Sequence, residues 1–184
     1  MHFNEKKNTF LQLLQMLHNN INMKTIIFMR HGKSSWKYDL PDIDRPLKRR
    51  GIRDAKVVSQ VFEKQDFTPD VIVSSPANRA LSTCKIVVNE IFKDKDIEVV
   101  KQIYDFGGYS VLDYIKSLDD SISSIMLFGH NHAFTSLAND LGDTYIGNVP
   151  TAGLVMLTFN ENSWKNIKAG TTKLTIFPRD YKNK

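Results

Sequence analysis

From residue 23 onward, short apolar runs rich in β-branched and aromatic residues alternate with longer stretches of helical periodicity. A chain patterned this way must bury its strands beneath helices. The architecture that does so is an α/β three-layer sandwich, with a central, mostly parallel mixed sheet and helices on both faces. The run Thr25-Ile26-Ile27-Phe28-Met29 is almost unbroken in its apolarity, as expected of a strand covered on both sides, and it ends at Arg30-His31-Gly32.

A polar stretch, 33–46, then leads to a predicted helix over 48–64, in which Ile52, Ala55, Val58 and Phe62 share a face. A second strand, 70–73, runs into Ser74-Ser75-Pro76, where Ser75 suits a helix cap and Pro76 the first helical position. The helix so begun carries Ala80, Cys84, Val87, Val88 and Ile91 on one stripe, which makes Cys84 a core residue rather than a nucleophile. A strand at 97–100 and a helix at 110–118 follow. The run 124–128 then repeats the opening design and ends at Gly129-His130-Asn131-His132. Phe134, Leu137, Ala138 and Leu141 mark a further helix that stops at Gly142, and 153–159 and 173–177 read as closing strands.

The chain has 184 residues, 41% of them hydrophobic, which suits one core. Lys and Arg number 25 against 20 acidic residues, and this modest excess of +5 is spread along the chain, so a small anion is a better partner than a nucleic-acid duplex. A lone cysteine fits a reducing compartment, and the cytoplasm is the expected location. No apolar run approaches the length of a membrane span. Residues 1–22 read as an amphipathic extension around Phe10, Leu13, Leu14 and Leu17, preceding a domain over 23–184. Oligomeric state is not legible from the sequence.

In open α/β sheets, ligands bind beyond the carboxyl ends of the strands. Three predicted strands carry chemistry there: the first delivers Arg30 and His31, the second Ser74, Ser75 and, one turn on, Arg79, and the third His130. Arginine presents a planar fork to phosphate oxygens. A neutral imidazole is a nucleophile at neutral pH, and flanking arginines disfavour its protonation. Gly32 lets the backbone approach a ligand closely. Trp36, Tyr38 and Trp164 are candidates for a substrate mouth or for ordinary aromatic packing. His132 beside His130 raises metal ligation, but no compact set of further ligands accompanies the pair, and no metal is expected.

Met29-Arg30-His31-Gly32-Lys33-Ser34-Ser35-Trp36 resembles the Arg-His-Gly signature of the histidine phosphatase, or phosphoglycerate mutase-like, superfamily. Asp44-Arg45-Pro46-Leu47, Arg50-Gly51, Ser74 to Ala80 and Gly129-His130-Asn131 follow in the order of its small SixA-type branch, so that the likeness spans about 23–178. The resemblance implies a mixed sheet flanked by helices. It makes His31 the phosphorylated nucleophile, Arg30 and Arg79 its clamps and His130 the second pocket histidine, with Arg45, Gly32 and Ser34 binding substrate. It also implies that no cofactor is needed and that the partner is a phosphorylated substrate, a phosphohistidine-bearing protein in this branch. A small phosphoester fits the same clamp, and a low-turnover phospho-ligand-binding module is the alternative of another class. Larger relatives place an acid in the pocket as proton donor, for which Asp105 is the nearest candidate here.

Overall fold

The computed structural model describes residues 23–93 and 95–181, so the proposed extension over 1–22 lies outside the described residues. Six strands, β1 (Lys24–Arg30), β2 (Val71–Ser74), β3 (Ile97–Val99), β4 (Ser124–Gly129), β5 (Leu154–Phe159) and β6 (Thr171–Ile176), form one sheet in the order β3-β2-β4-β1-β5-β6. The pairs β2–β3, β2–β4 and β1–β4 are parallel, whereas β5 runs antiparallel to β1 and β6 antiparallel to β5. The sheet is therefore mixed and mostly parallel, as expected.

Helices α1 (Arg49–Glu63) and α2 (Asn78–Ile91) cover one face, and α3 (Tyr109–Lys116) and α4 (Ala133–Leu141) the other. The unbroken apolarity of β1 follows from this. Ile27 and Met29 join Ala55, Val58, Phe62, Cys84 and Val87 in one core layer, while Ile26 and Phe28 join Val111, Phe134 and Leu137 in the other. β4 divides likewise, Met126 and Phe128 to the first layer and Ile125 and Leu127 to the second. Ile52 departs from its predicted face and is exposed in the first turn of α1.

The start of α2 also differs from the sequence reading. The helix begins at Asn78 behind Ala77, and no side chain caps it. Ser75 points into the crevice beyond the strand ends instead, where its hydroxyl has a partner of greater consequence, described below. The polar stretch after β1 contains a 3-10 turn, Asp42–Asp44, which folds back towards α2 through a hydrogen bond from Asn78 to the Asp44 carbonyl. Trp164 is fully buried in the second core layer, its indole N–H donating to the Ile122 carbonyl, so it lines no mouth.

Candidate active site

The ends of β1, β4 and β2 are adjacent, because β4 lies between the other two. The His31 backbone N–H donates to the Gly129 carbonyl and that of Ser75 to the Phe128 carbonyl, which fastens the three exits together. Thr83 on α2 adds a clasp: its hydroxyl donates to the Arg79 carbonyl at 2.7 Å and accepts from the Gly32 N–H at 2.9 Å. His31, Arg79 and His130, far apart in sequence, are all buried within this frame.

Arginine can only donate, and that fixes the state of both rings. Arg79 Nε lies 3.3 Å from His31 Nε2, so Nε2 carries the lone pair, and Nδ1 must hold the proton that it donates to the Gly32 carbonyl at 2.8 Å. By the same logic Arg79 Nη2 donates to His130 Nδ1 at 3.3 Å, and His130 Nε2 bears the proton donated to Ser75 Oγ at 2.8 Å. Both rings are neutral. Burial, joined by the charges of Arg79 and Arg30, pushes each down to about 3, and for His31 this outweighs the opposing hydrogen bond to Gly32. The ring centres stand 5.3 Å apart, with Tyr104 and Phe106 packed against the far side of His130.

Arg30 and Arg45 complete the positive side. Arg30 Nη1 donates to the Val149 carbonyl at 2.8 Å, while Arg45 pairs with Asp42 Oδ1 at 2.9 Å and sets its guanidinium carbon over the Trp36 ring, 3.4 Å from its centre. Among the described residues, Arg30 Nε and Arg45 Nε and Nη1 are buried donors without a partner. Buried donors of this kind call for an acceptor, and an anion supplies one. Trp36 and Tyr38 are exposed, and Trp36 meets the site through Arg45.

The predicted residues do not all gather in one place. Gly32 sits in the frame, where close approach is enforced: an added Cβ would lie 2.8 Å from the Gly51 carbonyl oxygen. Ser34 is buried and its backbone bridges to Leu47, but no hydrogen bond links its side chain to His31 or the arginines. Asp105 is turned away from any acid role. Its carboxylate accepts from the backbone N–H groups of Gly107, Gly108 and Ser110, which organises the start of α3. His132 is exposed at the head of α4, and no group of three or more metal-ligating side chains occurs among the described residues.

The residue that sequence reasoning missed is Asp42. Its Oδ2 accepts from Arg79 Nη2 at 2.8 Å and from the Tyr104 hydroxyl at 2.7 Å, while Oδ1 faces Arg45. Burial opposes its ionisation, but hydrogen bonds from Tyr104 and Arg79 and the nearby arginine charges prevail and hold the carboxyl below its usual range. The one hint was its place three residues before Arg45, which the 3-10 turn converts into an ion pair.

The model of the histidine phosphatase superfamily, branch 1, matches residues 26–106, the segment that supplies Arg30, His31, Asp42, Arg45 and Arg79. Over that segment the chain is similar to the histidine phosphatase superfamily. Among proteins similar to this chain is an uncharacterized chloroplastic protein of Arabidopsis thaliana, 28% identical over 152 residues and matched across 77% of this chain and 69% of its own length. An uncharacterized protein of Mycobacterium tuberculosis is 25% identical over 159 residues, covering 81% and 98% of the two chains. In fold, the chain resembles the protein histidine phosphatase SixA complexed with tungstate, with a TM-score of 0.73 at 21% identity over 86% of this chain and 99% of the other. It also resembles a phosphoglycerate mutase from Bacillus anthracis, with a TM-score of 0.60 at 15% identity over 85% and 94%.

Proposed function

We propose that this chain is a phosphatase that works through a phosphohistidine intermediate on His31 and takes phosphohistidine on a protein as its substrate. The carrying observation is the His31 ring, held neutral with its Nδ1 proton donated to the Gly32 carbonyl and its Nε2 lone pair facing Arg79. The unpartnered donors of Arg30 and Arg45 suit the oxygens of an incoming phosphoryl group, and Arg79 stabilises charge as it transfers. His31 Nε2 attacks phosphorus in line, the leaving group departs, and water then releases phosphate from the ring. His130, donating through Nε2 to Ser75 and accepting from Arg79, holds that arginine in place.

The substrate class follows from acid strength. Asp105 is committed to the backbone amides at the head of α3 and Asp42 is held below the usual carboxyl range by Tyr104 and Arg79, so neither stands as a proton donor for an alkoxide. A positioned general acid contributes about 10² to 10⁴-fold where it is needed. An imidazole leaves without it, which favours phosphohistidine over sugar phosphates. The likeness in fold to a protein histidine phosphatase supports the same reading.

Rapid quench with labelled phosphohistidine protein, followed by peptide mapping, tests the intermediate. Label is expected on His31 and absent in His31→Ala, and Arg79→Ala should lower kcat/KM by about 10² to 10³-fold. Label on a serine or on Cys84 would overturn the assignment. Efficient cleavage of sugar phosphates relative to phosphohistidine would transfer the reading to a small-molecule phosphatase.

A further inference from the structure

The hydrogen-bond chain that begins at the His31 ring runs through Arg79 to a carboxylate that the mechanism above leaves unused. Arg79 touches His31 with Nε, the Asp42 backbone carbonyl with Nη1 and the Asp42 carboxylate with Nη2. Tyr104 and Arg45 hold the same carboxylate from two other segments. Although so firmly held, the Asp42 side chain is 40% exposed against 1% for Arg79, so it stands at the open end of the arginine set.

A fixed negative charge is a poor neighbour for a phosphoryl dianion, since like charges repel across a pocket. It becomes useful when the group bonded to phosphorus carries a positive charge. The ring of phosphohistidine, protonated on the nitrogen that does not bear phosphorus, is such a group. We propose that Asp42 determines specificity by accepting a hydrogen bond from the remote N–H of the ring of a phosphoramidate, cationic while bonded to phosphorus, so that imidazole is favoured over alkoxide and phenoxide as leaving group. This inference rests on the phosphatase reading.

The step balances without an external acid. The Nε2 lone pair of His31 forms the new bond to phosphorus, the bond from phosphorus to the substrate nitrogen breaks, and its electron pair returns to the substrate ring. That ring departs neutral, its one proton still on the remote nitrogen against Asp42. His31 becomes the cationic ring, its Nδ1 proton on the Gly32 carbonyl. The carbonyl thus serves the enzyme's ring as the carboxylate serves the substrate's.

The test compares kcat/KM for a phosphohistidine peptide with that for an activated aryl phosphate, in the wild type, Asp42→Asn and Asp42→Glu. Losing a hydrogen bond to a charged group should lower the ratio of the two by about 10 to 100-fold in Asp42→Asn, and Asp42→Glu, which keeps the charge, should restore part of it. Equal loss on both substrates would overturn the inference and leave Asp42 as a positioning residue for Arg79 and Arg45, with the phosphatase reading intact. The wild type supplies a second measurement should the Asn variant fail to fold. Its kcat/KM for the peptide should fall as pH rises through the titration of the substrate ring, with no such limb for the aryl phosphate, and a limb missing from the peptide profile would overturn the inference. No turnover of either substrate by the wild type would overturn the phosphatase reading itself, and this inference with it.

Discussion

At the scale of single residues, the site is governed by the donor-only chemistry of Arg79. Its guanidinium fixes the tautomers of two histidines and orients one carboxylate, so its replacement disturbs all three at once. The neutral rings also tie stability to pH. Unfolded histidines titrate near about 6.5, whereas burial and then the arginine charges bring His31 and His130 down to about 3 in the fold. Between those values the unfolded chain binds protons that the folded chain does not. Stability is therefore fully present above the unfolded value and is lost as pH falls from about 6.5 towards 3. Urea unfolding at constant ionic strength between about pH 4 and about pH 8 should show this, with a shallower dependence in His31→Asn and His130→Asn. Unchanged slopes in both variants would assign the dependence to other groups.

At the scale of elements, the loop after β1 is seated on the first turn of α1 by backbone contact rather than by side chains. Lys48 donates to the Lys33 carbonyl and Ser35 to the Pro46 carbonyl, each at 2.8 Å. An added Cβ on Gly51 would lie 2.5 Å from the Lys33 carbonyl oxygen and 2.7 Å from its nitrogen. Backbone on both sides leaves little room to yield. Gly51→Ala is expected to destabilise the fold by about 1 to 3 kcal/mol, the usual range for overpacking, and to lower kcat/KM by shifting Gly32, whose carbonyl positions the His31 ring. Thermal unfolding and steady-state kinetics check the two effects together, and wild-type values for both would show that the interlock does not support the site. Cys84, by contrast, is only packing: it is fully buried in the layer beneath α1 and α2, and burial pushes its thiol up to about 12.

At the scale of the molecule, the strand order places β4 between β1 and β2, and this one adjacency gathers the charges of the site. Arg30, Arg45 and Arg79 supply the positive charge that a divalent metal provides in other phosphoryl-transfer sites. Activity is therefore expected to survive exhaustive chelation and dialysis. A loss restored by one particular divalent ion would contradict this. Among the described residues no helix is long and apolar enough to cross a membrane.

Local pattern was enough to read the strands, most helix faces and the placing of Arg30, His31, Arg79 and His130 at one edge of the sheet, because hydrophobic period and strand-end position are properties of neighbours in sequence. Ser75 shows where that reasoning stops. Its sequence context suits a helix cap, but a buried imidazole N–H 55 positions away needed an acceptor and took the hydroxyl. Asp105 stands outside its expected place in the pocket, and the unanticipated Asp42 stands in it, for the same reason. The first was drawn to free amides at the head of α3, and the second was carried by a 3-10 turn onto two arginines. Sequence by itself determined which side chains could do phosphoryl chemistry and which layers they would edge. Which carboxylate faced the arginines, and which hydroxyl faced His130, was decided only by the tertiary structure, since buried donors and acceptors pair with whatever the packed chain brings within reach.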